Sequence, residues 1–105
     1  PLWGALFETA VVNEIRKQAN LMPHPPQFYH WRLHSGAEVD LVLERDGQLF
    51  PIEIKAKTRV TARDAKNMAT FRQHHGDKVA NFGLIMAPCE EAYPVTEHDW
   101  VIPWD

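Results

Sequence analysis

Cysteine is nearly missing from this 105-residue sequence, where Cys89 stands alone. One thiol excludes an internal disulfide and any cysteine-cluster zinc site, and it favours a reducing compartment, with the cytoplasm as the expected location. No apolar run approaches the ~18 residues that a membrane span requires, so no membrane partner is expected. The charged n-region and cleavage site of a secretory signal are lacking too. The sequence has no initiator Met and opens Pro1-Leu2-Trp3-Gly4 straight into a helical pattern, so it reads as a fragment cut from a longer protein. A glycine-rich phosphate loop is absent, which places any nucleotide-binding half outside the fragment. Nor is there an excess of basic residues. The formal net charge of −3 argues against a general nucleic-acid coat, because phosphate contacts need clustered Lys and Arg.

What is present is ordinary globular material, 45% hydrophobic and 24% charged. A chain of this length forms one domain, residues 1–105, burying roughly two-thirds of its unfolded surface. The charge is unevenly spread. Lys55, Lys57, Arg59, Arg63, Lys66 and Arg72 stand against Asp64 alone, while Glu90, Glu91, Glu97, Asp99 and Asp105 occupy a tail without Lys or Arg. An anion such as DNA should therefore meet the middle of the chain, at Lys57, Arg59, Arg63 and Lys66. Both runs also suit plain solvated faces.

From residue 2 to about 20, Trp3, Phe7, Val11 and Ile15 recur every four positions, joined by Leu6, Ala10, Val12 and Ala19. That wide stripe predicts an amphipathic first helix. The prolines at 23, 25 and 26 end it. Strands are predicted over 27–34, 38–44 and 49–55, the last two joined by the Asp46-Gly47 pair that type I′ hairpins prefer. Thr61 and Asp64 form a capping-box signal for a second helix that Gly76 stops near His75. A buried fourth strand over 81–86 follows, with an edge strand at Trp100-Val101-Ile102. The order is helix, three-strand meander, helix, strand, which implies a two-layer or three-layer α/β sandwich.

A two-residue hairpin loop sets Arg45 opposite Gln48 and, by the same register, Asp40 opposite Glu53. Val39, Leu41 and Leu43 then meet Ile54, Ile52 and Phe50 on an apolar face, and the carboxylates share the other. Directly opposed residues have Cβ atoms only ~4.5–5.5 Å apart, where two ionised carboxylates repel. A hard divalent cation, Mg²⁺ or Mn²⁺, would offset the repulsion, since such ions take one or two carboxylates and keep other positions for water and phosphate. Lys55 lies on the same face as Glu53. Glu38 opposite Lys55 equally suits a surface ion pair. Two helix-1 acids fall on the inward stripe, Glu8 near Val11, Val12 and Ile15, and Glu14 near Trp3, Phe7 and Ala10. Inward carboxylates are unusual unless paired or metal-bound. His24, His30, His34, His74 and His75 lack ligand spacing and read as structural. Tyr29 and Trp31 read as core aromatics.

Leu6-Phe7-Glu8, Trp31-Arg32, Ser35-Gly36-Ala37-Glu38-Val39-Asp40 and Pro51-Ile52-Glu53-Ile54-Lys55 together resemble the C-terminal region of a bacterial and archaeal group of P-loop ATPases of unknown function, whose tail carries a PD-(D/E)XK nuclease-like module. The resemblance covers nearly the whole chain and is loose after Gly76. It implies a restriction-endonuclease-like α-β-β-β-α-β sandwich with a mixed central sheet. It also implies an ATPase domain in the same polypeptide and a Mg²⁺-dependent endonuclease site. Asp40 matches the central acid, Glu53 and Lys55 match the Glu-x-Lys half-motif, and Glu8 matches the first-helix acid, so that Asp40, Glu53 and Glu8 would hold metal. Val39 stands where the proline that names the motif would be. The expected activity is phosphodiester hydrolysis in DNA. The competing expectation is an inactive nuclease-fold module that binds nucleic acid or protein.

Overall fold

The computed structural model describes residues 2–104. Helix α1 runs Leu2–Ala19, and the strands β1 (Gln27–Arg32), β2 (Glu38–Arg45) and β3 (Gln48–Ile54) follow as an antiparallel meander. A 3-10 turn, Ala62–Ala65, leads into α2 (Lys66–His75), then come β4 (Gly83–Ala87), β5 (Tyr93–Pro94) and β6 (Asp99–Pro103). The sheet order is β1-β2-β3-β4-β6-β5, with β3, β4 and β6 mutually parallel in sequence and the rest antiparallel. The sheet is thus mixed, as expected, and the protein is α/β.

Each turn has a local cause. Asp46 and Gly47 both take positive φ (54° and 81°), the pair of left-handed residues that a type I′ hairpin demands. Thr61 N–H donates to Asp64 Oδ2 at 2.9 Å, half of a capping box that starts the second helical segment, and Gly76 ends it at φ 56°.

Two clusters show which helix covers which face. Met68 and Phe71 of α2 pack with Val39, Val42, Ile85 and Val101. Phe7 and Val11 of α1 pack with Ile54, Met86 and Trp104. Ile85 and Met86 are neighbours on one strand and so point to opposite faces, which makes the domain a three-layer sandwich with the sheet between α1 and α2.

Three expectations need correction. The α1 stripe is narrower than its pattern implied. Phe7, Val11 and Ala19 are buried, but Trp3 and Leu6 are 58% and 57% exposed and Ala10 faces out, because the sheet offers α1 only the strip around Ile54, Met86 and Trp104. The strand at 100–102 is no edge. It is β6, with buried Val101, lying between β4 and the two-residue β5, a strand too short to show any alternation. Finally, Val39 does not share a face with Leu41 and Leu43. Tyr29 pairs with Val42 but Trp31 with Val39, so Asp40 and Leu41 stand opposite His30 alone, as a β-bulge. The extra residue rotates Val39 onto the α2 side, where it joins Val42.

Candidate functional site

The hairpin register holds as expected from Arg45↔Gln48 to Leu41↔Ile52 and then stops. Beyond that point β2 carries the bulge, while β3 continues beside β4, so the two strands part. Their backbones no longer bond each other, and side chains take over. Asp40 N–H donates to Glu53 Oε1 at 2.9 Å, and Ile54 N–H donates to Asp40 Oδ2 at 2.8 Å. The two acids therefore close the gap reciprocally, each accepting a backbone proton from the other's strand. Each retains one further carboxylate oxygen.

Glu53 is 2% exposed. Burial, with the Asp40 charge beside it, pushes its carboxyl up to about 8, well above the ordinary carboxylate range. The nearest cation is Lys55, whose Nζ is 3.9 Å from Glu53 Oε2, too far for a direct hydrogen bond. With both acids ionised the site would hold more negative charge than its own residues neutralise, so Glu53 keeps its proton near neutral pH. Lys55 N–H donates to Met86 O at 2.9 Å, which ties the start of the crossover to β4 and keeps the lysine near the acid.

The α1 side supplies the rest. Glu8, exposed at its tip, is held above its usual range by partial burial and then by the charges of Asp40 and Glu38, with His30 and Lys55 opposing. Glu14 instead accepts from Gln18 Nε2 at 2.7 Å and lies 4.0 Å from Lys17 Nζ, an arrangement along the helix surface. Among the described residues no three His, Cys, Asp or Glu side chains converge as a ready-made metal site. Asp40 and Glu53 nonetheless fit what a hard divalent cation requires. They offer two adjacent carboxylates, each with one oxygen that no backbone N–H engages.

One neighbour escaped the reading of the sequence. His30 Nε2 lies 2.9 Å from Glu38 Oε2, and its Nδ1 is 3.3 Å from Asp40 O. It takes the partner expected for Lys55: Glu38 pairs with Arg32, and His30 lies two residues along β1, within diagonal reach. Only the β1–β2 register could have revealed it, and the bulge displaces that register by one residue. Of the two aromatics expected in the core, Trp31 packs edge-on against Phe71 at 5.2 Å, with the His75 ring 4.3 Å from Phe71, whereas Tyr29 is 51% exposed, because β1 is the outermost strand of the sheet.

The basic segment divides. Lys57 Nζ lies 2.8 Å from Asp64 Oδ1, and although burial alone would raise Asp64, the Lys57 bond and the Thr61 N–H hold it below the usual range. Arg59, Arg63 and Lys66 are exposed and form no ion pair among the described residues. Arg72 does not belong with them, because it is committed to Asp99. The loop between β3 and α2 is pinned by Tyr93, whose hydroxyl accepts from Val60 N–H at 3.1 Å and donates to Val60 O at 2.8 Å. Lys57 and Arg59 therefore sit on a loop tied at both ends.

No helix among the described residues is long and apolar enough to cross a membrane. The chain belongs to the family described as Domain of unknown function (DUF4143), whose profile matches residues 3–105. No curated protein and no solved structure matches it.

Proposed function

We propose that this DUF4143 member is a metal-dependent phosphodiesterase module, a DNA nuclease-like domain of the PD-(D/E)XK type attached to a P-loop ATPase and working in the cytoplasm. The carrying observation is the reciprocal bonding of Asp40 and Glu53 where β2 and β3 part, with Lys55 beside them. A buried acid set beside a second, half-buried one costs folding energy, and a fold keeps such a pair where it is used. Asp40 and Glu53 would hold Mg²⁺ or Mn²⁺, with Glu8 at the rim to bind the ion or orient its waters. The bound cation would supply Lewis acidity and neutralise charge building up on the phosphate. Lys55 contributes an ammonium 3.9 Å from Glu53, suited to stabilise that charge or to polarise the attacking water. Arg59, Arg63 and Lys66, with Lys57 nearer the acids, provide phosphate contacts along the backbone of a bound strand.

Nicking of supercoiled DNA in Mg²⁺ or Mn²⁺ tests this reading, first on the chain alone and then on the full-length polypeptide with ATP. Asp40→Asn should abolish nicking while leaving DNA binding in EDTA intact or slightly stronger, since it removes a metal ligand and one negative charge. Lys55→Ala should lower both turnover and affinity. If neither form of the protein nicks DNA and no divalent ion shifts the melting temperature, catalysis is abandoned. One observation favours a second reading, a module that binds nucleic acid or protein without cutting: both acids already serve backbone N–H groups, and among the described residues no third ligand converges on them. In that case Asp40→Asn stabilises the fold and no metal effect exists to lose.

A further inference from the structure

The first turn of α1 lies over the chain as it leaves β3. Trp3, Gly4, Lys55, Ala56, Lys57 and Asp64 line an open groove of about 410 Å³ there, within the size range of ligand clefts. Trp3 is mostly solvent-exposed but not free. Its indole Nε1 donates to the Ala56 carbonyl at 3.3 Å, and its ring leans on Phe7 with centroids 5.6 Å apart. A large aromatic face already fixed in orientation loses little conformational entropy when a flat ligand stacks on it. Beside it, Lys57 is steadied by Asp64, which also accepts from Thr61 N–H. An ammonium has three donors, so the Asp64 contact leaves two for a ligand.

The groove combines one rigid π-face with two ammonium groups. A simple anion has no use for the indole, and an apolar peptide would meet desolvation costs at both lysines. A nucleotide matches all three groups. Resting on the nuclease reading, we propose that this groove is a nucleotide subsite adjoining the acid pair, in which Trp3 stacks on an unpaired base and Lys57 contacts the phosphate next to the one at Lys55. The protein should then prefer single-stranded or frayed DNA, because bases inside a continuous duplex have both faces covered and must be unstacked first.

Fluorescence anisotropy in EDTA, where no cleavage occurs, separates the possibilities, using the full chain with a labelled dT oligonucleotide and with a blunt duplex. Trp3→Ala should weaken binding to the oligonucleotide roughly 10- to 100-fold, the loss of one stacked base, and leave duplex binding unchanged. Trp3→Phe should restore most of the affinity and, by keeping the Phe7 contact, covers the case in which Trp3→Ala fails to fold. Lys57→Gln should weaken both ligands and flatten the salt dependence. Equal losses on both DNAs from Trp3→Ala, or none, overturn the proposal. So does a Trp3→Ala variant whose DNA affinity is unchanged but whose sedimentation shifts, since the ring then serves contact between copies. Trp3-dependent binding by a protein that never nicks DNA overturns only the nuclease reading, and wild type that binds neither DNA overturns both.

Discussion

Asp99 and Glu53 lie two strands apart on one sheet, at 1% and 2% exposure, yet their surroundings are opposites. Asp99 is saturated. Arg72 donates to both of its oxygens through Nη1 and Nη2, and Thr96 Oγ1 donates to Oδ2 at 2.8 Å while accepting Asp99 N–H at 3.0 Å. Gly83 makes room for this pair, since a Cβ there would come within 2.7 Å of Asp99 Oδ1. Among the described residues, Arg72 Nε is the one buried side-chain polar atom without a partner. Glu53 has one backbone N–H, a distant ammonium and a second carboxylate beside it. A buried charge that is fully paired is a structural joint. One left short of partners is the place where a ligand can bring something the fold lacks.

The comparison breaks most visibly if Asp99 proves dispensable. Asp99→Ala leaves the Arg72 guanidinium buried and unpaired, so it should cost about 3–5 kcal/mol in urea unfolding, with or without Mg²⁺. A loss under ~1 kcal/mol would place Asp99 among weak surface pairs instead.

Glu53 should respond in the opposite sense, and with pH. In the unfolded chain it ionises near its ordinary value, in the folded chain only near 8, so unfolding within that window releases a proton. Its contribution to stability is therefore full at low pH and declines as pH rises through the window. Glu53→Gln keeps the acceptor for Asp40 N–H and removes the titration. At pH 8 it should be more stable than the parent by about 1–3 kcal/mol, with the gain vanishing near pH 4. Saturating Mg²⁺ should narrow the gap by stabilising the parent alone, and urea titrations at the two pH values with and without Mg²⁺ read all of this. A variant less stable than the parent at pH 8 would mean that Glu53 is as well served as Asp99.

The smallest effect separates Arg72 from its basic neighbours. Arg63→Ala should reduce the slope of log affinity against log salt by about one unit without altering stability. Arg72→Lys should leave that slope unchanged, because Arg72 faces Asp99 and not solvent. If Arg72→Lys lowers the slope and Arg63→Ala does not, the division of the basic segment drawn from the structure is wrong.

Much of the site was legible before any fold was known. Asp46-Gly47 demands a two-residue turn, and a two-residue turn leaves one register, which holds as far as Leu41↔Ile52 and so delivers residues 40 and 53 next to each other, where their carboxylates join the strands. Helix boundaries followed from prolines, from the Thr61–Asp64 cap and from Gly76, all of them local in the chain. Exposure of Trp3 and Leu6 was not legible, because periodicity says that a helix has an apolar side but not how much sheet it will meet. Nor was the bulge at Asp40, which depends on β1 pairing across the sheet, or the approach of His30 to Glu38 that follows from it. Arg72 looked like one more cation in a basic run until α2 was laid against β6. Short-range steric and hydrogen-bonding rules act within a few residues and can be read from sequence. Which charges end up paired is decided by strands and helices that are distant along the chain, and only their packing shows that Asp99 found a guanidinium while Glu53 was left beside another acid.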